Sequence, residues 1–484
     1  MSKPLYFALS LIVTVSAAHA VPESTTTLKD QQEVAVTIYN ENLALIKDTR
    51  KVDLANGEGR LAWRDVSAKI RPETALLRNL THPKGFFLIE QNFDFDLLTP
   101  GKLLEKYTGQ SVTILRRHPT TGVDEREDAV VLATNNGVVL KYADRIEADF
   151  PGRIAYKSVP ANLRDRPTLV VSLNAAQAAT DTLELSYLTG GLSWRADYVA
   201  ELSKSDDTLD LNAWVTLTNT SGASYQNAKL QLVAGDVNQV QGEMIDAMQN
   251  RGQVYLAAKA PKMAEESLFE YHLYTLDRPT TIAENQTKQV ALMSAASIPV
   301  TKEFLLRGAD YYYRSSYGDI GQKMKVGVFV EFENKGAGLG IPLPKGTMRV
   351  YKKDRAGNAQ FVGEDSIDHT PKHEKIRLKL GEAFDVTADK KQTSFARTTP
   401  VSIRPPDPGN PPLTDISESA FEITLKNAKD IPVTVKVMEP IPGDWQMLSE
   451  SHPHKKAASN TAVWLVDVPA NGKSKLVYKV RVRY

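Results

Sequence analysis

Short runs of β-branched and aromatic residues, each stopped by turn-forming residues, recur along most of the chain. Val34-Ala35-Val36-Thr37-Ile38-Tyr39 is one, closed by Asn40-Glu41-Asn42, and Leu43 to Ile46 follows at once. Thr168-Leu169-Val170-Val171-Ser172-Leu173 and Thr182-Leu183-Glu184-Leu185-Ser186-Tyr187 repeat the style. Apolar runs this short and this closely punctuated favour sandwiches or barrels over strand–helix–strand units. The expected fold class is therefore mainly β, with several β-sandwich or Ig-like modules. A length of 484 residues suggests roughly three domains at ~150 residues each.

The first residues read as an export signal. Lys3 gives a basic start, Leu5 to Val15 is almost unbroken apolar sequence, and Ala18-His19-Ala20 has the small-x-small pattern of a signal-peptidase site. The apolar stretch falls short of the ~20 residues of a permanent anchor. Cleavage is expected after Ala20, leaving a periplasmic or secreted chain without a transmembrane anchor. The chain has no cysteine, which excludes disulfides, thiolate metal sites and a lipid anchor on cysteine. With 59 Lys+Arg against 58 Asp+Glu, there is no electrostatic case for nucleic acid as a partner.

Turn signals and composition divide the chain after the signal, residues 1–20. An N-terminal β domain is expected over 21–101 and a small SH3-like barrel insert over 102–158. In the insert, Asn135-Asn136-Gly137 separates two apolar runs, which is a hairpin signal because Gly accepts positive φ. A β-sandwich follows over 159–240. Residues 241–268 carry Met244, Met248, Ala257 and Ala258 among polar residues, with few β-branched ones, and read as a helical or mobile crossover. The sandwich continues over 269–403. The run Arg404-Pro405-Pro406-Asp407-Pro408-Gly409-Asn410-Pro411-Pro412 lacks the amide donors of a central strand, so 404–414 reads as a linker. Four strand-like runs over 415–484 suit a C-terminal Ig-like domain.

Several motifs carry a family resemblance. Gly190-Gly191-Leu192-Ser193-Trp194-Arg195-Ala196-Asp197-Tyr198, Leu230-Gln231-Leu232-Val233-Ala234-Gly235-Asp236-Val237, Phe269-Glu270-Tyr271-His272-Leu273-Tyr274 with Asn285-Gln286-Thr287-Lys288, and Gly363-Glu364-Asp365-Ser366-Ile367-Asp368-His369-Thr370 occur in order. Over about residues 30 to 484 the chain resembles the secreted family called domain of unknown function 4139, and more distantly the mucoidy inhibitor A group. The resemblance implies a β-rich fold and supplies no catalytic residues.

Candidate ligand-binding residues are Glu270, His272, Glu364, Asp368 and His369. Glu270 and His272 share a face if the segment is one strand, and a carboxylate beside an imidazole suits acid–base work; a structural hydrogen bond is the competing reading. Glu364, Asp365, Asp368, His369 and His373 are the densest set of metal-type side chains. Pro371 between the histidines removes the i, i+4 helical spacing, so no metal is assigned. Trp194, Ala196 and Tyr198 fall on one strand face and Arg195 and Asp197 on the other, readable as an aromatic glycan surface or as a core face backed by an ion pair. Gly336-Ala337-Gly338-Leu339-Gly340 precedes Pro342 and Pro344 rather than a helix, so it reads as a turn and not a dinucleotide loop.

No Walker A loop, nucleophile elbow or His-Glu-x-x-His is present, and neither a cofactor nor a catalytic residue is expected. The preferred function is a non-catalytic exported β-sandwich protein that binds an envelope component, a glycan or a protein. One alternative is a periplasmic hydrolase with carboxylates brought from distant strands. A second is an outer-membrane β-barrel, because Tyr478, Val480, Val482 and Tyr484 alternate with Lys479, Arg481 and Arg483 as a last barrel strand would.

Overall fold

The alternation seen in the sequence becomes alternation of burial along strands. Ile416–Asn427 and Val433–Pro440 bury every second residue over most of their length. The computed structural model describes residues 22–484 except 95, 119, 136, 149, 151, 161–162, 236, 239–262 and 399–414. The expected signal, most of the 241–268 crossover and the proline-rich run at 404–412 lie outside the described residues. Strand accounts for 66% of the structure and helix for 3%, so the fold is mainly β. It divides into two compact units. The first runs to residue 193 and includes 218–232 and 278–287; the second comprises 194–217, 233–277 and 288–484.

In the first unit Glu23–Thr26, Gly57–Arg64, Thr168–Ala175 and Phe86–Asp94 form one four-stranded sheet. Leu43–Leu54 pairs antiparallel with both Gln31–Tyr39 and Ala179–Thr189 in another. The core contains a charge that its neighbours satisfy. Asp48 accepts hydrogen bonds from Arg50, from Trp63 Nε1 at 2.9 Å and from Gln31 Nε2 at 2.8 Å. The Arg50 guanidinium lies 4.7 Å from the centre of the Trp63 ring. A buried carboxylate is tolerated only when paired and hydrogen-bonded in this way.

Among its described residues, the 102–158 segment carries five strands: Ser111–Arg117, Asp124–Ala133, Val139–Lys141, Ile146–Ala148 and Arg153–Ala155. The fifth returns to pair with the first, as in a small barrel, but the third and fourth strands lead away to a free edge, so the sheet does not close. Its own core is built from Tyr107, Val112, Ile114, Val131, Leu140 and Tyr142. The helix Pro100–Lys106 enters it with Thr99 as N-cap, its side chain accepting from Lys102 N.

Among the described residues, the second unit holds two sheets besides the hairpin over 263–276. One has five strands in the order Gln286–Pro299, Thr208–Asn219, Leu192–Leu202, Gly346–Lys353 and Ala359–Ile367. The other has nine, with Asp444–Glu450 at one edge and Lys455–Ala458 at the other. The nine-stranded sheet folds over on itself. Trp464 of Thr461–Val468 stacks at 4.8 Å on Tyr478 of Gly472–Arg483, near the opposite edge, and Phe421 stacks on the same ring at 5.1 Å.

This sandwich is larger than the expected C-terminal domain. Ile416–Asn427 pairs antiparallel with the 24-residue strand Lys375–Thr398, and Val433–Pro440 pairs parallel with Thr301–Arg307. Four or five C-terminal strands alone would leave these edges unpaired. Tyr478, Val480 and Val482 are fully buried in the core, while Lys479 and Arg481 reach Glu418 at 2.7 Å. The last strand thus belongs to an open sheet between Asp444–Glu450 and Ile416–Asn427, not to a closed barrel, and its alternation reflects a two-layer core. In the expected crossover, residues 263–268 are a strand, paired in a hairpin with Tyr271–Leu276. Gly336, Gly338 and Gly340 take positive φ in a turn with no helix after it, as expected.

Candidate functional site

The strand Leu192–Leu202 sets up the site. Gly191 before it has φ +82, and a Cβ there would lie 2.6 Å from Ser221 Cα, so only glycine fits the turn. The strand then buries Trp194, Ala196 and Tyr198. Tyr198 donates to Pro344 O at 2.7 Å, and Trp194 meets Tyr274 edge-on at 6.5 Å. These aromatics are core, not a ligand surface.

The opposite face carries a row of polar side chains that crosses all five strands. Gln289 Nε2 donates to Thr216 Oγ1 at 3.1 Å, and Thr216 Oγ1 donates to Asp197 Oδ2 at 2.6 Å. Arg349 Nη1 donates to Asp197 Oδ1 at 2.9 Å, and its Nε lies 3.2 Å from Glu364 Oε2. Arg195 adds a contact to Asp197 at 3.2 Å. Burial pushes the Asp197 carboxyl up, but the hydrogen bonds from Thr216 and Arg349 and the charges of Arg195 and Arg349 outweigh it and hold it below the usual carboxylate range. Beside the row, Tyr351 and Phe361 are register partners that meet edge-on at 5.7 Å, with Phe361 56% exposed. Trp214, half-buried, shares the face of Thr216 two residues on.

The residues singled out from sequence are held separately. Glu270 sits with Phe269 in the two-residue turn between Met263–Leu268 and Tyr271–Leu276. It therefore shares no strand face with His272. The partner of His272 is Glu265, at 2.8 Å across the hairpin. Glu364 is tied to Arg349. Asp365 accepts from Lys379 N at 2.7 Å, Asp368 accepts from His369 N at 2.8 Å, and His369 Nδ1 accepts from Lys345 N at 3.2 Å. His373 takes φ +67 in an exposed turn. His454 meets Glu450 at 2.8 Å, and Glu450 also accepts from Trp464 Nε1 at 2.9 Å. Among the described residues, no three His, Asp or Glu side chains converge to hold a metal ion.

The family model described as domain of unknown function, DUF4139, matches residues 183–484. This chain belongs to the DUF4139 family. No curated protein matches it significantly. The DUF4139 region contains the whole polar row and both sheets of the second unit, and the match begins well after residue 30, where the motif resemblance starts. Sequence reading of the DUF4139 region found Arg195, Asp197 and Glu364 but missed Gln289, Thr216, Arg349, Tyr351 and Phe361. Arg349 reaches Asp197 only because Gly346–Lys353 runs parallel to Leu192–Leu202, a pairing across some 150 residues with no local signal.

Proposed function

We propose that this DUF4139 protein is an exported, non-catalytic β-sandwich protein that binds a component of the bacterial envelope, a glycan or a protein. Export rests on Lys3, the apolar run Leu5 to Val15 and Ala18-His19-Ala20. Sequencing the mature protein should find Val21 first; an intact Met1 on exported material would contradict it.

One observation carries the binding reading. The outer face of the five-stranded sheet joins a polar row fixed by its own hydrogen bonds to an aromatic pair, half-buried Tyr351 and exposed Phe361. Side chains already locked in place lose little entropy on binding. Rings with one free face supply contact area at low cost in rotamer freedom. Carboxylates engaged by arginine and by hydroxyl groups are poorly suited to proton transfer, so the same geometry favours recognition over chemistry.

The test is calorimetric titration of the mature protein with oligosaccharides released from envelope polysaccharide, alongside photo-crosslinking from position 361 in intact cells. A glycan ligand should bind the wild type and bind Phe361→Ala and Tyr351→Ala roughly tenfold more weakly, a loss of about 1.4 kcal/mol. A protein ligand should appear as one discrete crosslinked envelope protein, lost in Tyr351→Ala. Neither a titration signal nor a crosslink, with all variants folded, would contradict the proposal.

A further inference from the structure

We propose that a slot between the two sheets of the second unit binds an anionic amphiphile with a short aliphatic chain. It lies on the opposite face of Leu192–Leu202 and Gly346–Lys353 from the polar row and stands independently of it. Leu202 and Lys352 are register partners and share the parity of buried Trp194 and Tyr198, not that of Asp197 and Arg349.

Two β-bulges build the slot. The pairing of Gly346–Lys353 with Ala359–Ile367 slips between Val350 and Tyr351, which leaves Val362 unopposed. The pairing of Asp319–Glu333 with Lys375–Thr398 slips between Val328 and Phe329, which leaves Leu380 unopposed. A glycine follows each bulged residue: Gly363 at φ +152 and Gly381 at φ +149. A Cβ on Gly363 would overlap the Leu380 carbonyl oxygen, whereas a Cβ on Gly381 would meet open space. Bulges of this kind redirect side chains beside sites. Here Val362 and Leu380 become walls, joined by Leu202, Val328 and Val330, of a cavity of about 220 Å³.

One end of the slot is cationic. Lys302 Nζ lies 2.9 Å from Asp206 Oδ2, and Lys352 bonds the other oxygen of the same carboxylate. Two ammonium groups against one carboxylate leave a positive excess. Each ammonium has three donors, so donors remain for a ligand, and both side chains are about one-third exposed, at 36% and 31%. The other acidic group of the lining, Glu382, is paired with Lys325 at 3.1 Å. Two residues beyond it, Phe384 stands 94% exposed, where the register sets residues 383–386 against Val326 alone. The wall strand thus carries apolar surface past the rim. A structural role for the lysines would need only one of them to neutralise Asp206, and would leave the open apolar walls without a purpose.

The test is calorimetry on the mature chain with octanoate, octyl phosphate, neutral octyl glucoside and acetate. Octanoate or octyl phosphate should bind, whichever headgroup is preferred, and octyl glucoside and acetate should bind at least roughly tenfold more weakly. Val362→Trp, which fills the slot from an exposed bulge, and Lys352→Gln should each weaken the anionic probe roughly tenfold at an unchanged unfolding midpoint. If Val362→Trp does not fold, Lys302→Gln replaces it with the same expectation. The proposal fails if neither anion binds, if octyl glucoside or acetate binds as well as the anions, or if the folded variants bind like the wild type.

Discussion

Asp197 and Lys390 are both buried charged residues in the second unit, with different settings. Asp197 is fixed by Thr216, Arg195 and Arg349, and its carboxyl titrates below the usual range. A carboxyl depressed in the folded state stabilises the protein above its unfolded value, ~3.9, and loses that contribution as pH falls through the folded value. Asp197→Asn should therefore be less stable at pH 7, by about 1.5–3 kcal/mol. It should also show a shallower loss of stability below pH ~4 in acid-unfolding curves. Lys390 is almost fully buried, with Nζ at 2.6 and 2.7 Å from the two oxygens of Glu439. Tyr313 OH donates to the same carboxylate at 2.9 Å. Burial pushes the lysine down and Glu439 opposes it. Lys390→Met alone should cost about 3–5 kcal/mol by stranding a buried carboxylate. Adding Glu439→Leu should recover part of that loss in a thermal double-mutant cycle, with a coupling of about 0.5–3 kcal/mol. Asp197 stands out in sequence beside Arg195, but Lys390 does not: it sits in the run Asp389-Lys390-Lys391 like any surface charge, and only the strand face decides its burial.

At the scale of elements, period-2 alternation made much of the fold readable. The last strand is the clearest case: Tyr478, Val480 and Val482 are buried as their spacing demands. Val480→Asp should be severely destabilising, beyond the ~1.5–3 kcal/mol of the lost burial, because a charge enters the core. Arg481→Ala, which removes a partly exposed pair with Glu418, should cost about 0–1 kcal/mol. Chemical denaturation of both separates them. Among the described residues, 102–158 carries a five-stranded sheet of its own. Its private core predicts that replacing it with a short linker leaves the remaining strands folded by circular dichroism, with a cooperative melt. Non-cooperative melting of the remainder would contradict that independence. What sequence did not reveal was pairing between distant segments. The polar row and the slot both depend on the parallel register of Gly346–Lys353 with Leu192–Leu202, and the walls of the slot depend on bulges at Val362 and Leu380. Alternation predicts faces; it carries no information on which strand lies alongside, or where a register slips.

For the whole molecule, the family assignment and the geometry converge on the second unit. The DUF4139 match covers it, and both candidate binding features lie within it, on opposite faces of one sheet. The central claim is that the outer face bearing Asp197, Arg349, Tyr351 and Phe361 is where an envelope component docks. Hydroxyl-radical footprinting of the mature protein, with and without an envelope extract resolved into polysaccharide and protein fractions, tests it most directly. Phe361, exposed in the free protein, and Tyr351 should both lose reactivity in one fraction, while Phe384 on the other sheet keeps its own. Unchanged oxidation of Phe361 and Tyr351 in every fraction would contradict the account.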